Sequence, residues 1–187
     1  MGGSRTEVLL LLLTGIVLLL MVAIIGLFLR MNQLQREVLV ALEPLRRGDR
    51  PEGLPVGSRA PSFSLPDLSG RLVSLEDFAG QRLLLVFASP QCPACREMYP
   101  HLRAFAEAHP AVAVVMVSLG TVEENRRVAE EQGLGFPVLM GDAGVTQAYQ
   151  VPGVPFGYGI DEDRVIRSGG FAGTREEIEA LVRALGD

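Results

Sequence analysis

Val8 to Leu29 is a run of 22 residues without one charged side chain. At about 1.5 Å per residue a helix of that length spans roughly 33 Å, enough to cross the hydrocarbon core of a bilayer. A cleaved secretory leader would carry an apolar stretch of about 7–15 residues and end in a small-x-small site. This run is longer and ends in Leu27-Phe28-Leu29-Arg30. The sequence therefore predicts a short flank over 1–7 and a retained transmembrane signal anchor over 8–29, in contact with the lipid bilayer. Met1-Gly2 with Thr6 also matches an acylation pattern, which a membrane span makes redundant.

Arg5 lies on one side of the run, Arg30 and Arg36 on the other. So small a charge difference does not decide the orientation. From Arg30 to Arg47, apolar residues at Leu34, Val38, Ala41 or Leu42, and Leu45 keep helical spacing, which predicts a juxtamembrane helix over 30–47. Gly48 to Pro61 holds three Gly and three Pro, so residues 48–59 read as a linker.

Composition narrows the rest. All 17 basic residues are Arg; residues 51–187 carry eleven of them against eighteen acids, a balance of −7. An acidic domain without Lys lacks the clustered positive charge that phosphate binding requires, so no nucleic-acid partner is expected. Two cysteines exclude a disulfide-stapled miniprotein and a four-cysteine zinc site.

Residues 60–187 alternate strand and helix signals. Ser62–Leu65 and Arg71–Ser74 read as short strands, Leu83–Ala88 and Ala111–Ser118 as buried ones, and Pro137–Met140 as another. Pro93–Ala108, Val122–Gln132 and Arg175–Leu185 read as helices, and Val145–Tyr149 as a helical turn. Phe156–Asp161 and Arg164–Arg167 read as a hairpin around Glu162-Asp163, with the glycines of Gly157-Tyr158-Gly159 and Gly169-Gly170 as bulges and turns. The fold class is α/β, a central mixed sheet flanked by helices.

The chemistry sits at Cys92-Pro93-Ala94-Cys95, between a buried strand and a helix. Cysteines three apart can close a disulfide across the first helical turn. Free N–H groups and partial positive charge at a helix start favour a thiolate at Cys92. Pro93 suits that first turn, where its missing N–H costs nothing. Cys92 is then the exposed nucleophile and Cys95 the thiol that resolves a mixed disulfide. The only histidines are His101 and His109, neither placed to complete a metal site, so no metal is expected. Arg96 stands where covalent haem attachment needs His.

Residues 56–187 resemble the thioredoxin superfamily, in particular the membrane-anchored proteins of the TlpA, ResA and MauD type. The resemblance rests on Ala60-Pro61-x-Phe63-x-Leu65-x-Asp67 with Leu75–Gly80, on Phe87 to Cys95, on Pro100, and on Tyr149-Gln150-Val151-x-Gly153-Val154-Pro155. It implies a thioredoxin-like fold and a thiol–disulfide oxidoreductase with no cofactor beyond a Cys92–Cys95 disulfide. It also implies a cis-proline at Pro155, with the backbone of Val154 pairing a substrate chain. Implied partners are protein disulfide clients, in cytochrome c or periplasmic enzyme maturation, and a membrane thiol–disulfide electron carrier. The implied topology is single-pass, with the amino terminus cytoplasmic and the domain on the periplasmic side.

Three departures bear on that resemblance. Val86 stands where thioredoxins bury an Asp beneath the cysteines, and Gln91 replaces the usual Trp. Glu97, two residues past Cys95 rather than three, is the nearest acid in sequence and a candidate for proton transfer. Two other readings remain open. One is a peroxiredoxin-like thiol peroxidase, although Leu85 and Ser89 occupy its motif's Pro and Thr positions. The other is a metal chaperone or binding module on a redoxin fold.

Overall fold

Leu83 to Ala88 are all buried, because alternate residues of one strand face two different cores. In the computed structural model Leu83, Leu85 and Phe87 enter one apolar cluster, and Leu84, Val86 and Ala88 enter the other. The structure describes residues 53–186 and five isolated positions, 15, 18, 20, 21 and 30, all helical. The chain divides into two units, Met1–Arg50 and Pro51–Asp187. The expected flank, signal anchor and juxtamembrane helix lie outside the described residues, those five positions apart. Among the described residues no helix is long and apolar enough to cross a membrane.

The second unit runs β1 (Ser64–Pro66), β2 (Leu72–Ser74), a 3₁₀ turn (Leu75–Phe78), β3 (Arg82–Ala88), α1 (Pro93–Ala108), β4 (Val112–Ser118) and α2 (Val122–Gln132). It continues through β5 (Val138–Met140), α3 (Ala143–Ala148), β6 (Phe156–Ile160), β7 (Ile166–Phe171) and α4 (Arg175–Arg183). The five-stranded sheet has the order β5-β4-β3-β6-β7. β3 and β5 lie parallel to β4, while β6 runs antiparallel to β3 and to β7. β1 and β2 form a separate antiparallel pair. This is a thioredoxin-like α/β fold.

Local chemistry starts the helices where the sequence places them. Thr121 and Thr174 each exchange hydrogen bonds with a Glu three residues on, closing capping boxes at α2 and α4. Asp142 caps α3 through the Val145 N–H at 2.8 Å.

Two expectations need correction. The glycine pairs read as turns lie inside β6 and β7, with Gly157 opposite Gly170 and Gly169 opposite Tyr158. The register shift at Gly159/Ile160 is the bulge-like irregularity expected among these glycines, and none of them forms a turn. The reason is α4: a Cβ on Gly159 would stand 2.6 Å from the Leu181 carbonyl oxygen, so only glycine lets the helix settle this close. The hairpin turn lies at Asp161–Val165, around Glu162-Asp163 as the sequence places it, and there the Asp161 carboxylate accepts the N–H groups of Asp163 and Val165. Residues 53–59, read as linker, are held on the domain. Leu54 N–H donates to the Tyr158 hydroxyl at 2.9 Å, Gly57 N–H to Ile166, and Arg59 bridges Val165.

Candidate active site

Cys92 is the N-cap of α1, with extended backbone and Pro93 following at the first helical position. Its Sγ accepts the Cys95 N–H at 3.3 Å, satisfying one of the free donors of the first turn. The strand-to-helix junction thus places Cys92 half-exposed and Cys95 fully buried one turn inside. Both are free thiols. Pro93 and Ala94 are exposed beside them.

The other half of the site arrives from 62 residues away. The Val154–Pro155 peptide bond is cis, and the Cys92 thiol donates to the Val154 carbonyl at 3.4 Å. The Ala172 N–H donates to the Pro155 carbonyl at 3.2 Å, which ties this loop to the end of β7. The structure therefore brings together Cys92, Cys95, Pro93, Ala94, Val154 and Pro155.

Glu97 is not brought in. It is exposed, while Cys95 points into the core; residues two apart on a helix do not share a face. Val86 is fully buried in the same apolar cluster as Cys95, so no carboxylate takes the place of the missing acid. Burial, then the hydrogen bond with Cys92, pushes the Cys95 thiol up to about 12, against a lowering hydrogen bond from the Ser89 backbone. Cys95 thus holds its proton firmly in the dithiol state.

His101 is exposed along α1, and His109 stacks on Phe105 at 4.3 Å at the far end of that helix. Among the described residues no group of three or more His, Cys, Asp or Glu gathers that could hold a metal ion.

Two contacts around the motif escape a reading of its residues alone. Gln91 donates to the Glu124 carboxylate at 3.2 Å, joining the active-site loop to the cap of α2. Hydrogen bonds from the Thr121 backbone, Gln91 and the Thr121 hydroxyl hold that carboxyl below its usual range. The Ser89 carbonyl accepts the Cys92 N–H at 3.1 Å and the Tyr99 hydroxyl at 3.3 Å. Tyr99 was findable, since a residue four past Cys95 shares its helix face. The Gln91–Glu124 contact carries no sequence signal.

Comparison with known proteins agrees with this architecture. Residues 56–168 match the AhpC/TSA family. The chain is 34% identical over 170 residues to the methylamine utilization protein MauD of Paracoccus versutus, covering 89% of this chain and 86% of that protein. It is 26% identical over 139 residues to the thiol-disulfide oxidoreductase ResA of Bacillus cereus, covering 72% and 80%. Among solved structures it is similar to a protein from Chlorobium tepidum assigned as thiol:disulfide interchange protein DsbE. That match has a TM-score of 0.65 at 26% identity and covers 71% of this chain and 99% of that one.

Proposed function

Because this chain belongs to the AhpC/TSA family and is a thiol–disulfide oxidoreductase of the MauD and ResA type, we propose that the Cys92–Cys95 dithiol exchanges with protein disulfides at the outer face of a membrane. The observation that carries this is the pairing of an accessible N-cap thiol with a buried one, facing the Val154 carbonyl before cis-Pro155.

The reaction follows from that pairing. Cys92, as thiolate, attacks one sulfur of a client disulfide; the other client sulfur leaves with the bonding electrons and takes a proton. Cys95 gives up its proton and attacks Cys92, the mixed disulfide breaks, and the second client sulfur leaves as a thiol. The pair loses two electrons and the client gains two. Once Cys92 is engaged, its thiol no longer occupies the Val154 carbonyl, which is then open to an N–H of an extended client segment. No cofactor beyond the Cys92–Cys95 disulfide is needed.

In this proposal residues 8–29 anchor the protein with its amino terminus in the cytoplasm and its domain on the periplasmic side. Its clients would be disulfide-bearing proteins of cytochrome c or periplasmic enzyme maturation, and a membrane thiol–disulfide carrier would reset the pair. Titration of the full chain in thiol–disulfide buffers tests the chemistry. A potential at or below about −250 mV means a reductase, one above about −180 mV an oxidase or isomerase. If no reversible disulfide forms, the proposal fails. A reporter active only outside the cytoplasm, fused after residue 187, should be active; silence at normal expression refutes the topology.

The family match favours one second reading, a thiol peroxidase. Leu85, at the motif's proline position, is fully buried in β3, which leaves the peroxide-binding sequence incomplete. Rapid consumption of hydrogen peroxide by the reduced protein would reinstate it.

A further inference from the structure

The loop that carries Cys92 has two flanks, and the exchange described above uses only one. β3 lies between β4 and β6, with Ala88 beside Ser118 and Phe87 beside Phe156. The loop after β3 therefore has cis-Pro155, which precedes β6, on one side and the turn between β4 and α2 on the other. Three contacts dock it on that second side. The Leu119 N–H donates to the Ala88 carbonyl at 2.9 Å. Gly120, at φ +110, lies so near that a Cβ there would stand 3.2 Å from Pro90 Cδ. Gln91 Nε2 donates to Glu124 Oε1 at 3.2 Å.

We propose that Glu124 is a specificity-determining residue of the exchange: held by Gln91 at the edge of the cysteine loop, its carboxylate selects client segments that carry Lys or Arg next to the reacting cysteine. This rests on Cys92 and Cys95 being the exchanging pair. A client segment held by the Val154 carbonyl and bonded to Cys92 extends toward the other flank of the loop, where Glu124 stands.

The hydrogen bonds of that carboxylate leave room for one more donor. Glu124 Oε2 accepts the Thr121 N–H at 2.9 Å and the Thr121 hydroxyl at 3.0 Å, which uses both of its lone pairs. Among the described residues Oε1 accepts Gln91 alone, so one lone pair stays open on the side of the cysteine loop. The ion pairs among the described residues do not include Glu124; Arg127, three residues on, is the cation that acts on it. The Thr121 N–H, Gln91 and the Thr121 hydroxyl hold the carboxyl below its usual range, so it is ionised at working pH. Gln91 and Glu124 meet at the surface, where a Lys or Arg reaches the carboxylate with its charged head still in water. The −7 balance of residues 51–187 acts in the same direction, but it is spread over the domain and screened beyond about 8 Å at 0.15 M salt.

The test uses the reduced full chain and two disulfide-linked peptides, identical except that one cysteine is flanked by Arg in the first and by Glu in the second. At 0.15 M salt the parent should react roughly three- to fivefold faster with the Arg peptide, the worth of one exposed charge pair. Glu124→Gln should cut that ratio by about half or more, while α2 keeps its start because Gln also closes a capping box. Gln91→Ala leaves α2 untouched and frees the carboxylate from the loop, so it should lower the ratio too. Glu123→Gln removes the same charge one residue away and should leave the ratio as it was. Equal rates for the two peptides in the parent, or a ratio that Glu124→Gln or Gln91→Ala leaves intact, overturn the proposal. So does an equal fall in Glu123→Gln, because that reports overall charge. If the unaltered protein reduces neither peptide nor a small neutral disulfide, the oxidoreductase proposal falls first, and this one with it. If it reduces the small disulfide and treats the two peptides alike, this one falls alone.

Discussion

The Tyr158 hydroxyl joins three parts of the domain, and removing it gives a sharp test of how residues 53–59 are held. Tyr158 is fully buried in β6; its hydroxyl donates to the Tyr149 carbonyl at 2.5 Å and accepts the Leu54 N–H at 2.9 Å. Tyr158→Phe keeps the aromatic contacts with Phe156 at 5.2 Å and Tyr149 at 5.6 Å, so the loss reports the hydroxyl alone. Two backbone groups lose their partner. The Tyr149 carbonyl is enclosed and costs about 1–2 kcal/mol; the Leu54 N–H, nearer the surface, costs about 1 kcal/mol. The total is about 2–3 kcal/mol, or a fall in Tm of roughly 6–12 °C for a domain of this size.

A fragment starting at Arg50 suits the measurement, because Pro51–Asp187 is a compact unit with its own two apolar clusters. Thermal unfolding gives the Tm, and mass spectrometry after brief proteolysis gives the cleavage rate within residues 51–59, which should rise. Gly53→Ala attacks the same contact from the other side. Gly53 has φ +73, and a Cβ there would meet the Tyr158 hydroxyl at 2.2 Å. The double variant should therefore lose much less than the sum of the two single losses. A Tyr158→Phe protein within 2 °C of the parent, or full additivity of the two changes, refutes the reasoning.

Other outcomes follow from the same structure. Cys95→Ser should trap client proteins on Cys92 as stable mixed disulfides visible on non-reducing gels; Cys92→Ser should trap none. The reduced protein should lose stability as pH rises from about 8.5 toward 12, because the unfolded Cys95 ionises there while the folded one keeps its proton. The oxidised protein lacks that alkaline slope, which comparative unfolding in alkaline buffers will show. At Asp161 burial works to raise the carboxyl, but hydrogen bonds from Val165, Arg167 and Asp163 outweigh it and hold it low. Its stabilisation is present above about pH 4 and lost as pH falls through the lowered value, so Asp161→Asn should cost about 1–2 kcal/mol at pH 7 and progressively less in acid. Leu85→Ala, at a fully buried central-strand position, should cost about 2–5 kcal/mol by urea unfolding.

The local elements were readable because their causes are local. Thr121 with Glu124, Thr174 with Glu177 and Asp142 with Val145 each start a helix within one turn of chain. The bounds of α1 and α2 fall where the sequence places them, and the continuous apolar runs became the two central strands. The end of the sheet was less legible. Gly157 and Gly159 read as a break when chain neighbours alone are considered; in the fold they are strand residues, made small by a helix that follows in the sequence. The segment 53–59 looked like linker because its hydrogen-bond partners, Tyr158 and Ile166, are about a hundred residues on.

At the site the same division holds. Two cysteines three apart before a helix already specify an N-cap thiol and a buried partner, since one helical turn sets their separation. Proximity in sequence also pointed to Glu97, but helix rotation turns that carboxylate to solvent. Only tertiary packing could place the Val154 carbonyl on the Cys92 thiol, the Ser89 carbonyl between Cys92 and Tyr99, and Gln91 on Glu124. Hydrogen bonds act over about 3 Å, whatever the length of chain between their partners. Spacing alone therefore names the reacting sulfurs, and the packed sheet decides what surrounds them.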